Sequence, residues 1–146
     1  MPKHLLVAYD FSEPARHALD LAAHLRGKLH VAVDVLHVFI DPFAELKHPP
    51  KESAWANEEQ MKAHLAAVED QVKKDVADRF GAETQAVSVR VVRGTASHEI
   101  LKVAGEVGAD LLLVGAMGKG GVERVLLGSV SHHLLRNSPV PVLTVK

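Results

Sequence analysis

The stretch LLVAYDFSEPARHALDLAAHLRG, residues 5–27, contains a strand, a turn and a helix in succession. Residues 5–9 form a short, nearly unbroken apolar run that Asp10 closes, as expected of a buried strand. Ser12 stands at the position of a helix N-cap, with Pro14 in the first turn. Apolar residues then recur at three- and four-residue steps up to Gly27, where we expect the helix to end.

The alternation of strand and helix continues through the rest of the chain. Further strands are predicted at residues 30–39, 87–92, 111–114 and 140–145, and further helices at 61–80, 100–107 and 129–136. Residues 41–53 contain three prolines and are expected to form a surface loop. Short apolar strands that alternate with helices predict an α/β fold in which helices cover both faces of a parallel sheet.

The composition limits the possible functions. A chain of 146 residues fits one domain, 1–146, and 17 Lys and Arg against 18 Asp and Glu leave no basic surplus for nucleic acid. Cysteine is absent, so the chain holds neither a disulfide nor a thiolate site. Its apolar runs are shorter than a signal peptide or a membrane helix requires. We therefore expect a soluble, cytoplasmic protein with no membrane contact.

The densest glycine cluster is GAMGKGG at residues 115–121, directly after the most apolar strand. In doubly wound sheets ligands bind beyond the carboxyl ends of the strands, so this loop is well placed for a site. It is not a P-loop, because Gly121 and Val122 stand where Lys and Ser or Thr are required. It is not a dinucleotide fingerprint either, because Glu123 stands where the third glycine would open the helix.

A second element begins at Gly128, where a short helix starts. The free backbone amides of a helix N-terminus suit an anion. Glycine at 118 and 128 would let a phosphate approach the backbone, and the hydroxyls of Ser129 and Ser131 could donate to it. A second interpretation stays open, in which the glycines form a tight turn and Ser129 is an N-cap.

The glycine spacing resembles a known signature. Gly115, Gly118 and the pair Gly128-Ser129 match the pattern G-x2-G-x9-G-[S/T] of the universal stress proteins that bind ATP. The resemblance extends over nearly the whole chain, through residues 5–12, 36–38, 94–100 and 137–145. It implies a five-stranded parallel sheet of order 3-2-1-4-5 and, for members that keep the glycines, ATP as ligand.

The resemblance also implies positions for the nucleotide. Asp10 would lie against the adenine or ribose, and the backbone of Val38 would contact the adenine. The ribose and triphosphate would lie along Gly115, Met117 and Gly118. The phosphates would be bound at the start of the last helix, by Gly128, Ser129, Val130 and Ser131.

Two positions depart from the family pattern. Many relatives carry Ser or Thr followed by His or Arg where this chain has Ala116 and Met117, so a thioether replaces a polar or cationic contact. Ala96 stands where a proline is frequent.

Other chemistries fit the residues less well. The histidines are not spaced three or four apart on a helix, so we predict no metal site made by protein ligands, although Mg²⁺ or Mn²⁺ could accompany the ATP phosphates. Ser129 and Ser131 lie close in sequence to His132 and His133, but helix neighbours one and two residues apart do not face each other, which disfavours a nucleophile and its base. Asp10 could instead accept a phosphoryl group, as in response-regulator receivers, which this chain resembles less.

These observations leave three functional classes. The first is an ATP-binding, switch-like stress protein, the second a slow ATP-hydrolysing enzyme, and the third a nucleotide-free interaction module. Lys119 and Arg124 are the only cations of the glycine loop, and nothing resembles the catalytic set of an efficient ATPase. The family strand order would leave the apolar residues 140–145 at a sheet edge, which predicts a homodimer through this strand.

Overall fold

The computed structural model describes residues 1–40, 57–117 and 127–146. The strands are β1 (His4–Ala8), β2 (Ala32–Phe39), β3 (Val87–Arg93), β4 (Leu111–Gly115) and β5 (Val142–Val145). The α-helices are α1 (Glu13–Leu29), α2 (Glu58–Phe80), α3 (Ala96–Val107) and α4 (Ser129–Asn137), and a 3-10 helix spans Gly81–Ala86. The loop predicted at residues 41–53 lies outside the described residues.

The strands form one parallel sheet in the order β3-β2-β1-β4-β5, which confirms the predicted order 3-2-1-4-5 and the single-domain α/β fold. β1 lies at the centre, between β2 and β4, so the direction of strand progression reverses beside it. Ligands of such sheets bind at this point of reversal, beyond the carboxyl ends of the strands.

Helices cover both faces of the sheet, because successive side chains of a strand point to opposite sides. Leu5 and Val7 of β1 pack with α1 and α2 on one face, and Leu6 packs with α3 and α4 on the other. The first core contains the small residues of α1 and Val72, Val76 and Phe80 of α2. The second contains Ile100, Val103, Ala104 and Leu134.

The start of α1 is as predicted, and its end is not. Ser12 is the N-cap, and its hydroxyl accepts a hydrogen bond from the amide of Ala15. The helix continues through Gly27 to Leu29, and His30 takes the left-handed conformation at φ 54°. The prediction that Gly27 ends the helix and that His30 opens β2 is therefore wrong. A long-range contact accompanies the longer helix, since the Arg26 side chain donates to the Glu83 carboxylate at 2.9 Å as well as to the carbonyl of Val31 at 2.6 Å.

The prediction for β5 is also too long. Its strand begins at Val142 rather than at residue 140. The hydroxyl of Ser138 donates to the carbonyl of Val140 at 2.7 Å and accepts from its amide at 3.2 Å, which forms a compact turn. Pro141 then has no amide hydrogen for the sheet.

At the amino end of the sheet, backbone amides are held by a carboxylate. Asp110 accepts hydrogen bonds from the amides of Lys3, at 2.9 Å, and His4, at 3.2 Å. These bonds, that of Lys3 foremost, lower the pKa of Asp110 below its ordinary value of 3.8. Asp110 thus joins the start of β4 to the start of β1. Within the described part of the chain, no helix has the length and hydropathy needed to cross a bilayer.

Candidate functional site

A cavity of about 140 Å³ opens at the carboxyl ends of β1, β2 and β4. Its remaining walls come from the first turns of α3 and α4. Most of its lining is apolar, and its polar residues are Asp10, Tyr9, Ser129 and Ser131. The cavity therefore lies at the point of strand reversal where the sequence places a ligand.

Seven of the nine residues predicted for the site line this one cavity: Asp10, Val38, Gly115, Gly128, Ser129, Val130 and Ser131. They come from four different parts of the chain, which meet because β1, β2 and β4 end at the same edge of the sheet and α4 begins there. Met117 is half-buried and is not among the lining residues. Gly118 lies outside the described residues, as do Lys119 and Arg124.

The turn that carries Asp10 is held on both sides. The Asp10 carboxylate accepts from the amide of Ser12 at 3.0 Å and from its hydroxyl at 2.5 Å. Phe11 takes a left-handed conformation at φ 64°, which is uncommon for a residue with a Cβ, and its ring packs edge-on against those of Tyr9 and His37. The His37 Nδ1 atom donates to the carbonyl of Tyr9 at 2.8 Å. These contacts fix the direction of the Asp10 side chain.

Tyr9 connects the cavity to helix α2. Its side chain is buried, and its hydroxyl donates to the carboxylate of Asp75. Burial foremost, and then the bond to Asp75, raises the pKa of the Tyr9 phenol well above its usual range. The phenol therefore stays neutral and remains a donor at physiological pH.

Among the residues that the structure describes, no side chain caps the first turn of α4. Gly128 is the N-cap and has no side chain to accept from the helix. The first intrahelical bond of this turn is donated by the amide of His132 to the carbonyl of Gly128, at 2.9 Å. The amides of Ser129, Val130 and Ser131 precede it, so they have no acceptor within the helix. All three residues line the cavity.

Two hydrogen bonds join the start of α4 to the end of β4. The Ser131 hydroxyl donates to the carbonyl of Gly115 at 2.5 Å, and the amide of Gly128 donates to the carbonyl of Ala116 at 2.6 Å. We call this pair of bonds the β4–α4 joint. It holds the uncapped turn of α4 beside the last residue of β4.

Gly115 is required by packing as well as by its position in the motif. A Cβ at this position would lie 3.0 Å from the backbone nitrogen of Ala15 and 3.1 Å from the Cβ of Pro14. About nine in ten real Cβ contacts are longer, so a side chain here would require the first turn of α1 to move by a few tenths of an ångström.

The apolar walls of the cavity were missed by motif reasoning. Val114 and Leu36 lie on strands, and Ala96 and Ile100 on α3, while Ile40 is 63% exposed at the rim. The other two lining residues that the motifs did not identify are Ala8 and Tyr9. Their common signal is position: most belong to the carboxyl ends of strands that the predicted order places side by side.

The family model and a curated relative that match this sequence belong to one protein family. The model of the "Universal stress protein family" matches residues 1–146. Universal stress protein MJ0531 of Methanocaldococcus jannaschii is 32% identical over 135 residues, which cover 92% of this chain and 74% of the relative.

Solved structures agree on the fold. The solved structure of protein MJ0577 has a TM-score of 0.79 and 28% identity to this chain, over 99% of this chain and 95% of its own. Universal stress protein MJ0577 of M. jannaschii is also among the relatives by sequence. A universal stress protein in complex with cAMP has a TM-score of 0.68 at 23% identity, covering 99% of this chain and 97% of its own. One from Archaeoglobus fulgidus in complex with dAMP has a TM-score of 0.58 at 20% identity, covering 97% and 96%.

Proposed function

The chain belongs to the universal stress protein family, and from this premise we propose that its cavity binds an adenine nucleotide, ATP foremost. The single observation that carries the proposal is a cavity with apolar walls that also contains the uncapped first turn of α4. A nucleotide has the same two parts, an apolar base and an anionic phosphate chain.

The apolar part of the cavity suits the base. Val38, Leu36 and Ile100 offer flat aliphatic surface, and burying an aromatic ring against it is favoured by the hydrophobic effect. The carboxylate of Asp10, fixed by Ser12, lies on the same wall and can accept from a sugar hydroxyl or a base amine. The cAMP and dAMP complexes of proteins with the same fold support an adenine compound as the ligand.

The phosphates would be bound by backbone. Three amides of the first turn of α4 and the positive end of its dipole suit an anion. The described lining contains no Lys or Arg, and it contains one carboxylate. We therefore expect Mg²⁺ or Mn²⁺ to accompany ATP, held by its phosphates. In residues 1–40, 57–117 and 127–146, no group of three His, Asp or Glu side chains could hold a metal ion by itself.

We infer that the protein acts in the cytoplasm as a nucleotide-dependent switch of a stress response, without efficient catalysis. Backbone amides bind ground and transition states alike, so they lower the dissociation constant without raising the rate of hydrolysis. Slow ATP hydrolysis and a nucleotide-free interaction module are the alternatives that the motif analysis leaves.

The proposal is tested by nucleotide content and by titration. Protein purified without added nucleotide is denatured, and the released compounds are separated and identified by mass; calorimetry with ATP, ADP, AMP, cAMP and GTP follows on nucleotide-free protein. We expect bound adenine nucleotide and tighter binding of ATP with Mg²⁺ than of GTP. Protein that releases none and binds none of these compounds would favour the interaction module.

The same chain is proposed to form a homodimer through β5. This strand is at the edge of the sheet, and Leu143 on it and Leu135 on α4 are 40% and 47% exposed. An unpaired edge with exposed apolar residues favours pairing with a second copy around a twofold axis. In light scattering at micromolar concentration we expect twice the mass of the 15.8-kDa chain. Leu143→Lys should give monomers, and Leu29→Lys, at a 38% exposed leucine on α1, should not. A monomeric wild type contradicts the dimer.

A further inference from the structure

We propose that Ser131 is a positioning residue of the nucleotide site and that its hydroxyl is not a ligand of the phosphates. The inference rests on the proposed function and revises the role that the motif resemblance gives to this serine. Ser131 and Ser129 are two residues apart at the start of the same helix, yet their surroundings differ.

The first observation is burial. Ser131 is 2% exposed, whereas Ser129 is exposed. Although Ser131 lines the cavity, almost none of its surface is open to a phosphate. The Ser129 side chain is open to solvent at the same end of the helix and can meet a ligand without such a cost.

The second observation is the use of the hydroxyl hydrogen. A serine hydroxyl has one hydrogen to donate, and that of Ser131 is donated to the carbonyl of Gly115 at 2.5 Å. A phosphate oxygen accepts hydrogen bonds, so it would need this same hydrogen. Breaking the bond would take a donor from the buried Gly115 carbonyl, and a buried polar group that loses its hydrogen bond costs free energy.

The third observation is what the bond connects. It is one of the two bonds of the β4–α4 joint, and it comes from the third residue of the uncapped turn. The other bond holds Gly128 to Ala116. Ser131 therefore sets the distance between the free amides of α4 and the end of β4, and it contributes its own amide, not its hydroxyl, to the ligand.

The test compares Ser131→Ala, Ser131→Thr and the matched variant Ser129→Ala with wild type. Three quantities are measured: the melting temperature without ligand, the MgATP dissociation constant at a low temperature where every variant is folded, and the ¹³C chemical shift of the Gly115 carbonyl. For Ser131→Ala we expect a lower melting temperature, a carbonyl shift that moves away from the hydrogen-bonded value, and at least tenfold weaker MgATP binding. Ser131→Thr, which keeps the hydroxyl, should recover most of the affinity and the carbonyl shift.

Ser129→Ala should weaken MgATP binding while leaving the melting temperature and the Gly115 carbonyl as in wild type. If Ser131→Ala shows that same pattern, its hydroxyl is a phosphate ligand and the proposal is overturned. If Ser131→Ala melts earlier but binds MgATP as wild type does, the joint is structural only, which also overturns it. A wild type that binds no adenine nucleotide overturns the proposed function, and the positioning role with it. If wild type binds MgATP and Ser131→Ala binds it equally well, only the positioning role fails.

Discussion

Helices α1 and α4 both begin at the carboxyl end of the sheet, and their first turns differ in what satisfies their amides. In α1 the side chain of Ser12 accepts from the amide of Ala15, and the Asp10 carboxylate holds Ser12 in place. In α4 the cap is Gly128, and no side chain of residues 1–40, 57–117 or 127–146 caps the turn. A helix whose first turn is satisfied by its own side chains serves the fold, and one whose amides face a cavity is available to a ligand.

One substitution should give α4 the kind of side-chain cap that α1 has. Gly128→Asp places a carboxylate where it can accept from the free amides of α4, as Ser12 does in α1. Its φ of −69° is one that any residue adopts, so no backbone strain opposes the change. We expect MgATP binding to fall more than 100-fold, because about two charge-assisted bonds of roughly 1.5 to 3 kcal/mol each are lost.

The same substitution should not weaken the fold. An N-cap carboxylate favours helix formation, so the free energy of unfolding without ligand should rise by about 0.3 to 1 kcal/mol. Gly128→Asn is the matched uncharged cap and should reduce binding less. Calorimetry and urea unfolding measure the two effects, and undiminished MgATP binding by Gly128→Asp would show that the amides of α4 do not hold the phosphates.

The next effect concerns Gly115, the first glycine of the motif. Gly115→Ala should lower the free energy of unfolding by about 1 to 3 kcal/mol, because its methyl group would press on the backbone of α1 at Ala15. The control is Gly105→Ala in α3, where a Cβ meets no atom within 4 Å, and this change should be neutral or stabilise by up to about 1 kcal/mol. Equal stability of the two variants in urea would contradict a packing role for Gly115.

Removing the cap of α1 should have a smaller effect. Ser12→Ala removes the acceptor of the Ala15 amide and one of the two donors to the Asp10 carboxylate, the hydroxyl. It should cost about 0.5 to 2 kcal/mol of stability. Ser129→Ala is its counterpart on α4 and should change stability by less than about 0.5 kcal/mol. Thermal unfolding without ligand measures both changes. A larger loss of stability for Ser129→Ala than for Ser12→Ala would contradict this comparison.

The smallest effect concerns the amides of Lys3 and His4, which Asp110 holds at the other end of the sheet. The pKa of Asp110 is lowered in the folded chain, so this group stabilises the fold above its ordinary value of 3.8, and the contribution is lost as the pH falls through its folded pKa. Urea unfolding from pH 7 to pH 3 should therefore show a shallower decline below pH 4 for Asp110→Asn. The control is Asp78→Asn, which removes one negative charge at an exposed position on α2. The free energy of unfolding of this variant should decline with falling pH as that of wild type does.

Local sequence signals predicted the elements that depend on local interactions. Ser12 as a cap and Gly81 after α2, at φ 53°, were both identifiable because short-range hydrogen bonding and backbone freedom determine them. The end of α1 was not, because the Arg26 side chain bonds with Val31 and with Glu83, a residue far along the chain. Glycine costs a helix about 1 kcal/mol, which such contacts can offset.

The candidate site divides in the same way. The motif identified Gly128 and Ser129 by spacing, and the strand order explains why Asp10 and Val38 lie near them. The pattern did not distinguish the two serines of α4. Ser131 has the same chemistry as Ser129, and only the three-dimensional position of the Gly115 carbonyl shows that its hydroxyl is already engaged.

The bond between the Gly128 amide and the Ala116 carbonyl affects how much an insertion would cost the fold. Both of its atoms lie outside the segment 117–127, so an insertion within that segment removes neither partner of the bond. The entropy of closing a loop grows slowly, by about 0.6 kcal/mol for each doubling of its length. Insertions between residues 117 and 127 should therefore be among the least costly in the chain for folding, which makes this connection a suitable point for grafting a recognition peptide or a second domain.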